Sequence, residues 1–348
     1  MFASMYVPKK LMPEELDAFL EKGWFRMRQS VFTTNFLFFK NHFYSAIWLR
    51  VGLENYLPDK KHRTSLKTNQ GFRTVIQKAS ITQQKEELYA LYREAIAFEP
   101  SETLYELLYG NASTYENVFD TFEVSVYDED VLIGIGFFDM GKISAEGISV
   151  FYHPAYKKYS IGKYIMFLKI DYCRELGLKY FYPGYLVPNY PPFEYKKEIG
   201  KPALQFLALS IEKWLPIEML TNEMVPLEKM QQELEGLKEQ LHIYNIPASM
   251  AHYRFFEANL DPSYNGTGVF DFPVFLHCFP NAELEFFWIV VFDVRDEKYH
   301  LLQCSSVFKI SFIEVVETIL SSHLLRVDIE IMASRNPDDI VDTFLKYI

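Results

Sequence analysis

Cysteine is scarce in this chain. Cys173, Cys278 and Cys304 are the only three in 348 residues, widely spaced and with no Cys-x-x-Cys pair. They build neither a disulfide framework nor a zinc site, so no metal and a reducing, cytoplasmic setting are expected. A run of about 18 uncharged apolar residues is also missing, which argues against a membrane-spanning helix. The opening MFASMYVPKKLMPEEL lacks the apolar stretch of a secretory leader. Positive charge is in excess only at the start. Residues 1–80 hold 13 Lys/Arg against 6 Asp/Glu, residues 81–200 hold 11 against 18, and residues 201–348 hold 11 against 22. A protein of net charge −11 does not hold a polyanion through diffuse charge. A nucleic-acid contact is therefore expected on a local basic face that includes Lys60, Lys61, Arg63, Lys67, Arg73 and Lys78. The bland alternative is that these six residues form a solvated surface.

Apolar and aromatic residues are abundant, at 49 % and 17 %, with 31 Phe and 24 Tyr. That is ample core material and excludes disorder as the main state. The length points to two domains and an additional lobe.

The pattern of periods supplies the elements. Residues 14–21 read as a short helix between Pro13 and Gly23. Residues 24–27, 31–39 and 43–51 read as strands of one small sheet. Residues 83–98 place Leu88, Leu91, Tyr92 and Ala95 on one helical face. The period then becomes two: residues 122–127 and 131–138 flank Asp128-Glu129-Asp130 as a hairpin, and residues 143–152 form a third strand. A loop with Lys157 and Lys158 leads to Ser160, expected to cap a helix that runs to about residue 176, with Gly177 at its end. Residues 178–185 return as a strand. Further on, helices are expected at 203–214 and 226–242. Strands follow at 269–278, 286–294 and 298–307, and two more helices at 313–321 and 340–346.

The order strand, strand, strand, loop, helix, strand is that of the acetyltransferase (GNAT) fold, in which a helix N-terminus holds the donor's phosphates. The expected class is α+β. It comprises a GNAT-like domain over residues 81–200, a small β-rich N-terminal domain over 1–80, and an α+β C-terminal lobe over 201–348 with no assignable chemistry. In the segment YKKYSIGKY, Ser160 can cap, Gly162 lets a ligand approach the backbone, and Lys157, Lys158 and Lys163 add charge. A coenzyme A site normally carries a glycine-richer loop, and this one has a single glycine.

Residues 151–196, FYHPAYKKYSIGKYIMFLKIDYCRELGLKYFYPGYLVPNYPPFEYK, are similar to the signature of the arginyl- and leucyl-tRNA–protein transferases. Phe151, Tyr152, Pro154, Ser160, Gly162, Tyr164, Gly177, Leu178, Tyr180, Tyr182, Gly184, Tyr185, Tyr195 and Lys196 match it in order. Asp139 stands where the family has an acidic residue. GWFRMRQSVFTTNF and ELYALYREAI resemble the family's N-terminal half more loosely, and the likeness ends near residue 200. The family's N-terminal cysteine cluster is absent, and Tyr190, Pro192 and Phe193 stand where Cys and Lys-Met are usual.

The resemblance implies transfer of Arg or Leu from its tRNA to the N-terminal α-amine of an acceptor protein that begins with Asp or Glu, marking it for degradation. It implies aminoacyl-tRNA as co-substrate and no other cofactor. An activated ester and an amine of pKa near 8 need positioning and an oxyanion donor more than a strong base, so no triad is expected. On this reading Ser160, Gly162 and Lys163, with Lys157 and Lys158, meet the donor's terminal phosphates. Tyr182, Tyr185 and Tyr195 line the acceptor slot, Asp139 orients the amine or takes its proton, and Lys196 contacts phosphate or an acidic side chain. The alternatives are an acetyl-CoA-dependent N-acetyltransferase and a non-catalytic binding module of the same fold.

Overall fold

The computed structural model describes residues 1–96, 101–110, 117–264, 266–279, 285–309, 319–320 and 322–347. The N-terminal part contains β1 (Ser4–Tyr6), α1 (Pro13–Glu21), β2 (Phe25–Met27), β3 (Ser30–Thr33), β4 (Phe36–Phe39), β5 (His42–Ser45) and β6 (Ile47–Gly52). Next come α2 (Lys60–Thr68), β7 (Arg73–Lys78), α3 (Gln83–Glu94) and α4 (Leu104–Tyr109). The expected hairpin is β8 (Thr121–Asp128) and β9 (Val131–Met140), followed by β10 (Ser144–Tyr152), a 3-10 turn at Pro154–Tyr159, α5 (Ile161–Glu175) and β11 (Tyr180–Leu186). The four-residue α6 (Pro191–Glu194) runs into a 3-10 turn at Tyr195–Glu198.

These strands do not form one small sheet followed by a separate domain. The central sheet has eight strands in the order β13-β12-β6-β11-β10-β9-β8-β7, with β12 at Leu204–Ala208 and β13 at Lys213–Pro216. β6, from the basic N-terminal segment, lies between β11 and β12. The boundaries expected at 80 and 200 therefore both fall within the residues that build this sheet. β1, β2 and β3 form a three-stranded sheet, and β4 with β5 a separate hairpin.

The helix expected at 203–214 is the β12–β13 hairpin instead. Leu204, Phe206 and Ala208 alternate inward, and β6 offers an edge that the segment fills. Pairing across sequence overrides the helical propensity of a Leu/Ala-rich run. Gly177 behaves as expected: it has φ +74°, and Leu178 donates to the carbonyl of Cys173 just beyond the helix end.

One face of the sheet packs on α5 through Ile133, Phe138, Ile161, Ile165, Ile170 and Phe181. The opposite face is covered by α3 and α4 (Leu88, Leu104, Ile135, Phe151) and by the N-terminal segment (Leu20, Phe25, Trp48, Tyr182). The C-terminal lobe holds α7 (Pro226–Ile243), β14 (Ala248–Tyr253), β15 (Val274–Cys278), β16 (Phe287–Asp293), β17 (Lys298–Lys309), β18 (Ile319–Leu320), β19 (His323–Ser334) and α8 (Pro337–Tyr347). Its six-stranded sheet runs β18-β14-β15-β16-β17-β19. Of the helix expected at 313–321, the structure describes only 319–320, which pair with β14; the rest lies outside the described residues. Phe2 and Phe36 are buried in this lobe's core, so the chain's start is threaded into its end. Among the described residues no helix is long and apolar enough to cross a membrane.

Candidate functional site

The chemistry-bearing region lies where β10 and β11 part. These parallel strands are in register at three positions, Ser144 with Tyr180, Ala145 with Phe181 and Glu146 with Tyr182. Beyond them the pairing of the two strands ends: β10 shifts register against β9 between Gly147 and Ser149, and β11 shifts against β6 between Phe181 and Gly184. Bulges of this kind re-aim a strand. Gly184 has φ +85°, a conformation that favours glycine.

Lys169 of α5 is buried behind the fork. Its Nζ donates to the carbonyls of Phe137 (2.7 Å) and Ser149 (3.2 Å), and burial pushes its pKa down to about 7. Gly136 leaves it room, since a Cβ there would sit 2.9 Å from Nζ. The sequence gives no sign of this lysine, whose helical position reads as ordinary surface.

At the mouth of the fork α5 begins in an unusual way. Ser160 sits at φ 52°, ψ 43°, and its hydroxyl makes no capping hydrogen bond. The expectation of a serine cap is therefore incorrect: the preceding 3-10 turn delivers residue 160 in the left-handed region, where Oγ does not lie over the first-turn amides. No hydrogen bond from the Ile161, Gly162 or Lys163 amide to a protein acceptor is found among the described residues. A left-handed residue followed by free helical N–H groups makes an anion-binding concavity. Gly162 faces Tyr152, and a Cβ on it would lie 3.4 Å from that ring. His153 is a structural cap, with Nδ1 accepting from the Ala155 amide at 3.2 Å.

Helix α2 forms the facing wall. Asp59 caps it by accepting from the His62 amide at 2.7 Å, a signal readable in the sequence Pro-Asp-Lys-Lys-His. His62 is fully buried and pins α2 to α5. Its Nδ1 accepts from the Tyr56 hydroxyl (2.6 Å), its Nε2 donates to Asp171 (2.8 Å), and its ring stacks on Phe167 at 4.4 Å. Between the helices lies a cleft of about 610 Å³. Lys60 and Lys61 line one wall, Lys158, Ser160 and Lys163 the other, and Glu198 lies between them. Asn69 also lines the cleft, 1 % exposed. Its Nδ2 donates to the carbonyls of Ser65 and Tyr159, and its Oδ1 is unpartnered. Lys157 is not among the lining residues.

The turn Tyr195–Glu198 joins this cleft to the fork. Tyr195 lies under Lys163, with Nζ 6.0 Å from the ring centre, and burial pushes its hydroxyl up to about 12. Lys196 is half-buried with no carboxylate partner among the described residues. Its Nζ donates to the Tyr185 carbonyl at 2.8 Å and lies 5.2–5.3 Å from the Phe193 and Tyr185 ring centres. Burial pushes this lysine down to about 8. Tyr185 packs on Trp48 and Phe193.

Two expected site residues lie elsewhere, on the face covered by the N-terminal segment. Tyr182 is buried against Trp214 and Phe25, with its hydroxyl 3.3 Å from Glu21, and burial raises its pKa. Asp139 is fully buried in an ion pair with Arg26 at 2.9 Å, and it accepts from Thr121 Oγ1 at 2.6 Å. Arg26 also donates to the carbonyls of Leu108 and Arg28, so it ties β2 to α4 and the sheet. Glu146 is buried beside this pair and accepts only from the Arg26 amide, at 3.2 Å. Burial, with the Asp139 charge adding to it, pushes Glu146 up to about 8. Asp139 receives the stronger donors, so it holds the charge and Glu146 the proton. The cluster is distinct from the cationic cleft. Cys173, Cys278 and Cys304 are all buried as free thiols.

The strand order, the forked parallel pair and the open helix start between them define a GNAT-like transferase domain. Residues 83–205 match the family described as Arginine-tRNA-protein transferase, C terminus. Over that domain the chain is similar to the aminoacyl-tRNA–protein transferases. An aspartate/glutamate leucyltransferase of Leptospira interrogans is 25 % identical over 195 residues, covering 55 % of this chain and 74 % of that protein. One of Helicobacter hepaticus is 25 % identical over 203 residues, covering 54 % and 78 %. Among solved structures, FemX aligns at 10 % identity with a TM-score of 0.36, over 57 % of this chain and 69 % of that one.

Proposed function

We propose that this protein transfers an aminoacyl group from its tRNA to the N-terminal α-amine of an acceptor protein. The amino acid is leucine and the acceptor begins with Asp or Glu, as in the reaction the two bacterial relatives are named for. The observation that supports it best is the convergence of the α2 lysines with the open start of α5, beside the turn carrying Tyr195 and Lys196. Consecutive phosphates of the tRNA 3′ end suit the cleft, because the lysines and free amides there all favour anions. The ester then lies toward the fork. The acceptor amine attacks the ester carbonyl, and Lys196 donates to the oxygen as negative charge develops on it. The new amide forms as the ester C–O bond breaks. The proton lost by the amine is taken by water and returned to the ribose hydroxyl, and no cofactor beyond the charged tRNA takes part. Such a transfer in the cytosol would mark the acceptor for degradation directed by its N-terminus.

The test is incubation with labelled Leu-tRNA or Arg-tRNA and peptides beginning with Asp, Glu, Lys or Arg. Label from Leu-tRNA on the Asp and Glu peptides supports the reading. Transfer from Arg-tRNA alone overturns the choice of leucine, and absence of transfer from either overturns the function.

A further inference from the structure

One carboxylate intrudes on the cationic cleft. Of the residues that line it, Glu198 is the sole acid, and it bridges the walls: Lys61 of α2 and Lys163 in the first turn of α5 both reach its carboxylate, the latter at 3.6 Å. The hydrogen bond from Lys61 is the main cause that holds Glu198 below the usual carboxylate range, and Lys163 adds to it. Neither partner is buried, so the bridge contributes little to folding. The adjoining Ile199 is fully buried and Gly200 abuts Val51, so the backbone that presents Glu198 is anchored independently of its carboxylate contacts. Lys60 and Lys158, in the same cleft, carry no ion pair among the described residues.

We propose that Glu198 is a specificity-determining residue, which reserves the cleft for consecutive phosphates of an RNA strand and rejects a lone phosphate. This rests on the cleft being the donor site. A single anion entering between Lys61 and Lys163 must displace a carboxylate already held by both, exchanging one ion pair for another. An RNA strand brings neighbouring phosphates to Lys60 and Lys158 at the same time. The second and third contacts are then intramolecular, and they drive the exchange that one phosphate cannot. Glu198 thus acts as the repulsive element of a selective site. It would keep free phosphate and mononucleotides from occupying the cleft.

The probes are inorganic phosphate and a single-stranded RNA tetranucleotide, titrated against the full chain by calorimetry. Glu198→Gln preserves size and removes the charge, and an unchanged melting temperature will show that it folds. The expected result is orthophosphate binding about tenfold tighter than in the wild type and RNA binding tighter by less than about threefold, so that the preference for RNA narrows. Equal gains for both probes, or no gain for phosphate, overturn the proposal. A Lys61→Ala, Lys163→Ala double variant separates the two ideas. If it binds RNA as the wild type does, the cleft is not the donor site and both fall. If it loses RNA affinity while Glu198→Gln changes neither probe, only the selectivity role of Glu198 falls.

Discussion

Glu146 lies directly opposite Asp139 across the β9–β10 ladder, and both carboxyl groups are buried. Arg26 ion-pairs with Asp139 and gives Glu146 only a main-chain amide, so one site carries a charge and the other a proton.

This pair sets a pH dependence of stability. Glu146 binds its proton up to about pH 8 in the folded chain, against the ordinary glutamate value of 4.5 in the unfolded one. Between those values the folded state holds the extra proton, so the stability this group contributes is full below pH 4.5 and declines as pH rises toward 8. Glu146→Gln keeps the neutral shape and removes the decline. The variant is expected to gain a few kcal/mol over wild type between pH 5 and 8, at about 1.4 kcal/mol per unit. Denaturant unfolding at the two pH values measures it; parallel losses in both proteins would contradict the assignment.

The start of α5 gives a second test, of strain. Ser160 is left-handed at φ 52° and caps nothing. Ser160→Ala should therefore cost much less than the typical ~1 kcal/mol of a lost N-cap. Ser160→Gly should stabilise the chain by about 0.5–1 kcal/mol, because glycine meets no Cβ penalty there. Thermal unfolding of both variants decides it, and a loss of about 1 kcal/mol in the alanine variant would restore the cap.

The lowered pKa of Lys196 predicts a falling limb in the pH profile of transfer. The ammonium is lost near pH 8, where burial has brought it, and its donor strength to the carbonyl oxygen declines above that. Lys196→Arg should keep part of the activity and lose the limb, since guanidinium stays charged. Lys196→Met should lower turnover by about 100-fold or more, as removal of an oxyanion donor does elsewhere. Single-turnover rates from pH 6.5 to 9.5 provide the check; an unshifted limb in the arginine variant would assign it to another group.

Much of the fold could be read from the sequence where one period holds over a whole element. β8 alternates Phe122, Val124 and Val126 with Glu123 and Ser125 before the Asp128-Glu129-Asp130 turn, and α5 runs uninterrupted from Ile161 to Glu175. What could not be read is pairing over distance. Nothing local in residues 47–52 says that they lie between β11 and β12, and the run 203–214 is apolar enough to suit either helix or strand. The basic character of Lys60, Lys61, Lys158 and Lys163 was visible, but their convergence depends on His62 meeting Asp171 across 109 residues. Charge is likewise readable and its neutralisation is not. Asp139 looks like a candidate base in the sequence, and only the fold brings Arg26 to it.

On the proposed reading the cleft between α2 and α5 holds the phosphates of the donor. The apparent Michaelis constant for charged tRNA, measured for wild type and Lys163→Ala at one ionic strength, tests it most directly. A phosphate contact remote from the ester acts alike in ground and transition states. The expected result is a Michaelis constant raised about tenfold, with turnover within twofold and an unchanged melting temperature. An unchanged Michaelis constant would contradict it.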